Sequence, residues 1–240
     1  MQKGHLLYEG KAKSLFATES PDILWMTYKD DTTALNGARK TAFTDKGKLN
    51  NQISTLLFHF LEKNGVQTHL LETLSDTEQL VKKVTVIPIE IIVRNVIAGS
   101  FAKKLGVAEG EELAEPIVEF YYKEDALDDP FINDDHVRYL KLATTAEIAE
   151  LKELALTINT LLQQRFLAAD ILLVDFKIEC GRLNNQTIVL ADEISPDSCR
   201  LWDVNTKQKL DKDVFRHDLG DLVSVYQEVL QRLLNKTTEV

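Results

Sequence analysis

Three ionic side chains, Asp175, Lys177 and Glu179, occupy alternate positions in the otherwise apolar run 171–181. Alternate residues of a strand share a face, so this strand carries one ionic face and leaves Val174, Phe176 and Ile178 on a dry one. Asn184-Asn185 follows, a dipeptide that tolerates the positive φ angles of a tight hairpin, and a second apolar run returns over 187–193. A two-residue turn there sets Glu179 opposite Leu190 and Lys177 opposite Asp192, which brings Asp192 onto the ionic face, diagonal to Glu179. Diagonal neighbours lie about 7–8 Å apart, within reach of one hydrated cation. Magnesium takes oxygen ligands, commonly one or two carboxylates beside nucleotide phosphates and water, and Glu179 with Asp192 meets that requirement. The alternative is a solvated sheet face whose carboxylates simply pair with Lys177. The polar segment that follows, Asp192-Glu193-Ile194-Ser195-Pro196-Asp197-Ser198-Cys199-Arg200, is of the kind that carries chemistry and favours a metal and phosphate site.

Cations recur where anions would be held. Arg94 interrupts an apolar run that also contains Glu90, so its guanidinium needs either that carboxylate or a ligand. Gly99-Ser100 opens a short helix whose free N–H groups favour a phosphate, the alternative being that Ser100 merely caps it. Gly10-Lys11-Ala12-Lys13 falls in a hairpin turn where two lysines and an approachable backbone could cover phosphates, although the GxxxxGK[ST] pattern is absent. Lys123, Arg216 and His217 read as solvated when taken singly.

The elements that must position these residues follow from periodicity. Short apolar runs separated by turn residues up to Met26 predict a twisted antiparallel sheet. A helical stripe over 48–64 ends at Gly65, a left-handed C-terminal cap. Strands are expected at 68–72, 80–86 and 88–97, and a turn-rich acidic stretch over 106–135, apart from a strand at 117–123, reads as loop over a cleft. Thr144 and Glu147 form a capping box ahead of the longest helix, and a last helix spans 213–234. The expected organisation is a β-rich lobe over 1–86 and an α+β lobe over 87–240.

The 240 residues, 44% hydrophobic and 28% charged, can bury a sizeable core. A net charge of −10 with no Lys/Arg run argues against nucleic acid or an acidic membrane surface as partner, while leaving small anions open. No signal-peptide core or 18-residue apolar span is visible, which predicts a cytoplasmic protein. Cys180 and Cys199 read as reduced packing residues.

Two strings together resemble the signatures of the phosphoribosylaminoimidazole-succinocarboxamide synthases, or SAICAR synthetases. They are Ile87-Pro88-Ile89-Glu90 running to Arg94 and Ala98-Gly99-Ser100, and Val174-Asp175-Phe176-Lys177-Ile178-Glu179-Cys180-Gly181. Tyr8-Glu9-Gly10-Lys11-Ala12-Lys13, Ser75-Asp76-Thr77-Glu78, Ser195-Pro196-Asp197 and Arg200-Leu201-Trp202-Asp203 extend the resemblance, in family order, over nearly the whole chain. Cys180, where an aromatic is usual, and Cys199, where a small residue is usual, depart from the pattern.

The resemblance implies a two-lobed α+β fold akin to the kinases and related to ATP-grasp proteins, with antiparallel sheets, packed helices and ATP in the inter-lobe cleft. It implies joining of L-aspartate to carboxyaminoimidazole ribonucleotide with ATP and Mg²⁺, in a homodimer. Carried onto matching positions, Lys11, Ala12 and Lys13 lie over the ATP phosphates, and Leu15, Leu24, Val81, Lys82 and Val86 surround adenine. Glu179 and Asp192 bind magnesium. Arg94, Ser100 and Arg200 receive the ribonucleotide, Asp175, Lys177 and Asp197 stand near its reacting end, and Lys123 and Arg216 hold aspartate. Asp175 or Asp197 is the candidate base for the amine, orientation of substrate or metal being the alternative for each. A small-molecule kinase and a silent nucleotide binder are the rival functions; the first needs no aspartate, and the second needs no pair of metal carboxylates.

Overall fold

Short β-rich runs broken by glycine and polar turns fold into hairpins, and the first sheet is built from them. β1 (Leu6–Glu9), β2 (Lys13–Phe16) and β3 (Ile23–Tyr28) are followed by a separate hairpin, β4 (Asp31–Ala34) and β5 (Arg39–Ala42). After α1 (Lys46–Lys63), the strands β6 (Leu70–Thr73) and β7 (Glu78–Lys82) complete a five-stranded antiparallel sheet in the order β1-β2-β3-β7-β6. The computed structural model describes residues 1–34 and 39–235.

The second sheet starts with β8 (Thr85–Val96), so the expected division after Val86 falls inside a strand. It continues through α2 (Gly99–Leu105), β9 (Glu112–Tyr122), β10 (Phe131–Ile132), α3 (Asp134–Tyr139) and α4 (Thr145–Leu167). β11 (Ile171–Arg182), β12 (Ile188–Ala191) and β13 (Cys199–Asp203) follow, and α5 (Asp213–Arg216) and α6 (Leu222–Asn235) end the described chain. The order is β10-β9-β8-β11-β12, with β13 also paired to β11.

Alternation on β8 turns Ile87, Ile89, Ile91 and Val93 into the main core, where they meet Ile53, Leu57, Phe58 and Leu61 of α1 and Ile148, Leu151, Ile158 and Phe166 of α4. The other face of β8 is left to Glu90 and Arg94. Both helical stripes match their expected periodicity, Gly65 is left-handed at φ 88°, and Thr144 and Glu147 make the reciprocal capping box.

Several expectations change. The alternation predicted along β11 breaks at a bulge between Leu173 and Asp175, so Ile171, Leu173, Phe176, Ile178 and Cys180 share the main core while Val174 packs separately with Val96, Ala98 and Trp202. The stretch 106–135 holds more strand than expected, because β9 begins at Glu112 rather than at Ile117 and β10 adds Phe131–Ile132. The polar segment after Asp192 feeds β13, which its charges had masked. The last helix divides in two: Asp218 (φ 53°) and Gly220 (φ 154°) leave helical geometry, and Asp221 then caps α6 by accepting the Ser224 N–H at 3.1 Å.

Candidate active site

Register alone sets up a row of charge across three strands of the second sheet. Arg94 on β8 is the direct partner of Asp175 on β11, and Asp175 is in turn the partner of Arg200 on β13. Both arginines donate through Nη1 to Asp175 Oδ2, each at 2.8 Å. Arg94, only 1% exposed, also donates Nε to Glu119 at 2.5 Å; its partners are Glu119 and Asp175, not the Glu90 considered from sequence. Its guanidinium stacks over Phe101 of α2, and the Arg200 guanidinium lies so close to Gly99 that a Cβ there would collide with it. Arg94, Arg200 and the start of α2 are thus brought together. Ser100 is exposed inside α2 and is not its cap, which is Ala98.

Four residues along β11, Glu179 and Glu90 face each other directly, a like-charge pairing that would be unfavourable alone. Lys177 resolves it by donating to Glu90 at 2.7 Å and to Glu179 at 3.1 Å, and Lys123, just past β9, adds a second contact to Glu179 at 2.6 Å. Burial alone would lower the Lys177 pKa, but Glu179, Glu90 and Asp192 hold it well above the usual lysine range.

The hairpin register is one residue off the expected one. Glu179 lies opposite Ala191 and Cys180 opposite Leu190, because the loop turns through Leu183 and Thr187 rather than through two asparagines. Asp192 leaves the ladder in a left-handed conformation at φ 63°, which re-aims its side chain. Lys13 of β2 reaches across from the first sheet to pair with Asp192, and with Glu193 at 3.2 Å. Burial would raise the Asp192 pKa, yet Lys13, Lys177 and Lys123 keep it below the ordinary carboxylate range. The same contacts keep the buried Lys13 above the usual lysine value. Glu193 was missed from sequence, its only signal being adjacency to Asp192.

Asp197 is enclosed in a second network. Lys46 Nζ lies 2.6 Å from it, Lys212 Nζ 3.7 Å, and the Tyr226 hydroxyl donates to it at 2.5 Å. Burial opposes ionisation here, but Lys212 and Lys46 hold the carboxyl well below its ordinary pKa. Nothing in the local sequence singles out Lys46 or Tyr226. Lys11 is exposed and pairs with Asp125 at 2.7 Å, while the Ala12 carbonyl accepts the Lys29 N–H. Leu15, Leu24 and Val81 form one apolar cluster with Met26 and Tyr28. Lys82 donates to the Thr68 carbonyl at 3.0 Å, and Val86 is 45% exposed at the start of β8. Arg216 reaches Arg200 only indirectly, through Asp213. Cys180 and Cys199, read as reduced packing residues, are both free thiols buried in the main core.

The donor set suits magnesium. Glu179 and Asp192 present oxygen only, Oε2 of Glu193, the residue after Asp192, is buried without a hydrogen-bond partner, and among the described residues no cluster of three or more acidic, His or Cys side chains forms a protein cage. Two carboxylates with phosphates and water filling the remaining positions is what this ion ordinarily takes.

Two antiparallel sheets whose lysines and carboxylates meet at Glu179 and Asp192 define an α+β protein with an ionic site of the kind that handles phosphates. A phosphoribosylaminoimidazole-succinocarboxamide synthase structure from Ehrlichia chaffeensis superimposes with a TM-score of 0.94 at 44% identity, covering 95% of this chain and 98% of that one. A SAICAR synthetase in complex with ADP gives 0.93 at 47% identity, with 95% and 97% covered. The synthase of Listeria welshimeri is 61% identical over 95% of this chain and 96% of its own length. The family model for SAICAR synthetase matches residues 6–233, and the chain belongs to that family. Its members are ligases that couple ATP to aspartate addition in purine biosynthesis.

Proposed function

We propose that this cleft joins L-aspartate to 5-amino-1-(5-phospho-D-ribosyl)imidazole-4-carboxylate in two steps. A carboxylate does not react with an amine at neutral pH because its leaving group is poor. The substrate carboxylate oxygen first attacks the γ-phosphorus of ATP, releasing ADP and forming an acyl phosphate. The aspartate amine, in its neutral form, then attacks the acyl carbon, the C–O bond to phosphate breaks, and the amine's surplus proton passes to the departing phosphate as the amide forms. The observation that carries the reading is the convergence of Lys13, Lys123 and Lys177 on Glu179 and Asp192 from both sheets.

Residues 1–86 form the lid lobe of this reading and 87–240 the substrate lobe. Lys11, Ala12 and Lys13 cover the nucleotide phosphates, and Leu15, Leu24, Val81, Lys82 and Val86 line the adenine. Glu179 and Asp192 hold magnesium, which when bound neutralises phosphate charge. Lys13 and Lys177, kept protonated by their carboxylates, steady the phosphoryl group by charge rather than by proton transfer. Arg94, Ser100 and Arg200 receive the ribonucleotide phosphate, and Lys123 and Arg216 take the aspartate carboxylates. Asp197 is a poor match to the near-neutral pKa of an efficient base, and Asp175 is gripped by two guanidiniums, so both are assigned to orienting the cations around the reacting end. Family membership supports the further reading of a cytoplasmic homodimer.

The test is ADP release with the ribonucleotide and magnesium, with and without L-aspartate, alongside chromatography of the product. ADP and succinocarboxamide appearing together only with aspartate is the expected result. ADP release indifferent to aspartate would replace the ligase with a kinase.

A further inference from the structure

Asp213, the first residue of α5, is 3% exposed and holds two of the substrate arginines at once. Its Oδ2 accepts Arg200 Nε at 3.0 Å and its Oδ1 accepts Arg216 Nη1 at 2.6 Å. Lys209 Nζ stands 3.7 Å from Oδ2. The backbone on either side is tied down as well: Asp211 Oδ1 accepts the Asp213 N–H at 2.7 Å, and Asp211 Oδ2 accepts the Leu201 N–H at 2.8 Å. One buried carboxylate therefore clips the start of α5 to β13 at the residue next to Arg200.

The use of each guanidinium edge is informative. Arg200 gives Nε to Asp213 and Nη1 to Asp175, which leaves Nη2, the nitrogen lying over Gly99 at the start of α2. Arg216 gives Nη1 to Asp213 while its side chain stays 31% exposed. We propose that Asp213 is a positioning residue that couples the ribonucleotide and aspartate sites, fixing the spacing of Arg200 and Arg216 so that each offers its remaining N–H edge to a different anionic substrate.

Two guanidiniums repel each other, and a carboxylate with two accepting oxygens is the side chain that satisfies both. An asparagine keeps the shape but turns an NH₂ donor toward one arginine, so it releases at least one of them. The inference rests on the proposed assignment of Arg200 to the ribonucleotide and Arg216 to aspartate, and the controls test that assignment separately.

The experiment measures KM for all three substrates in Asp213→Asn, Arg200→Gln, Arg216→Gln and the double variant Asp213→Asn/Arg200→Gln. Asp213→Asn is expected to raise KM for the ribonucleotide and for aspartate by about tenfold or more each, with KM for ATP within about twofold of wild type, the effect of losing a charged hydrogen bond. The double variant should bind ribonucleotide no worse than Arg200→Gln alone, since interacting residues are not additive. If Asp213→Asn does not fold, Asp213→Glu, whose longer arm displaces both arginines, must show the same selective pattern. A wild-type KM for either substrate in the Asp213 variant, while the matching arginine variant raises it, overturns the coupling and leaves the arginine assignment standing. A rise that includes ATP equally makes Asp213 a structural residue only. Wild-type KM values in both arginine variants overturn the assignment, and the inference with it.

Discussion

Lys13 and Lys177 keep their charge in surroundings that oppose it because each is held by two carboxylates: Asp192 and Glu193 for the first, Glu90 and Glu179 for the second. That doubling decides what a single substitution does. Breaking a buried ion pair ordinarily costs about 3–5 kcal/mol because the remaining charge is stranded. Here Glu179→Ala leaves Lys177 on Glu90, and Asp192→Ala leaves Lys13 on Glu193, so the fold should survive both. Turnover should not. Each variant is expected to lose about 10²–10³ in kcat, the scale of removing a preorganised electrostatic partner, with circular dichroism unchanged. Wild-type turnover in either would overturn the metal assignment. The alternate placement of Asp175, Lys177 and Glu179 was legible in sequence, but the aim of Asp192 was not. It depends on a left-handed backbone at the end of β12, which no local pattern announces.

The start of α4 illustrates what an element can encode within four residues. Thr144 Oγ1 accepts the Glu147 N–H at 3.2 Å, and Glu147 Oε2 accepts the Thr144 N–H at 2.7 Å. Thr144→Ala is expected to lower stability by about 1 kcal/mol, read as a lower urea midpoint at unchanged slope. Glu147 also accepts Arg182 Nε at 2.5 Å, and this contact first, then the cap, pulls its pKa from 4.5 down to about 2. The folded pKa is depressed, so the stabilisation is complete above pH 4.5 and is lost as pH falls through about 2. Glu147→Gln should therefore be less stable than wild type at neutral pH, with the gap closing between those values in acid melts. A gap that persists unchanged to pH 2 would mean that the carboxylate charge plays no part. The capping box was visible because its partners are three residues apart. Arg182 was not, since it belongs to β11 and arrives only through folding. The division between α5 and α6 escaped for the converse reason: the apolar stripe continues, and only the backbone at Asp218 and Gly220 departs.

At the scale of the molecule, α1 and α4 share one core with β8 and β11, so a helix inserted between strands of the first sheet contributes to the same core as the second sheet. Leu57 is fully buried at that junction. Leu57→Ala should cost about 2–5 kcal/mol, from lost transfer energy and the cavity left behind. If the core acts as one unit, chemical unfolding followed by tryptophan fluorescence and by far-ultraviolet dichroism should shift together. Separate shifts would mean that the two sheets unfold independently.

The sequence by itself determined the period-2 and period-3.6 stripes, the Gly65 and Thr144 caps, the ionic face of β11 and the family to which these belong. Each is a property of neighbours along an extended or helical chain, where geometry fixes who faces where within a few residues. Only the tertiary structure decided which charges meet. Lys13 finds Asp192 from the other sheet, Arg94 finds Glu119 and Asp175 in place of Glu90, and Asp197 finds Lys46 and Tyr226. A buried charge takes whatever partner register, bulges and packing bring within reach. Those are set by segments far apart in sequence, and no local pattern carries them.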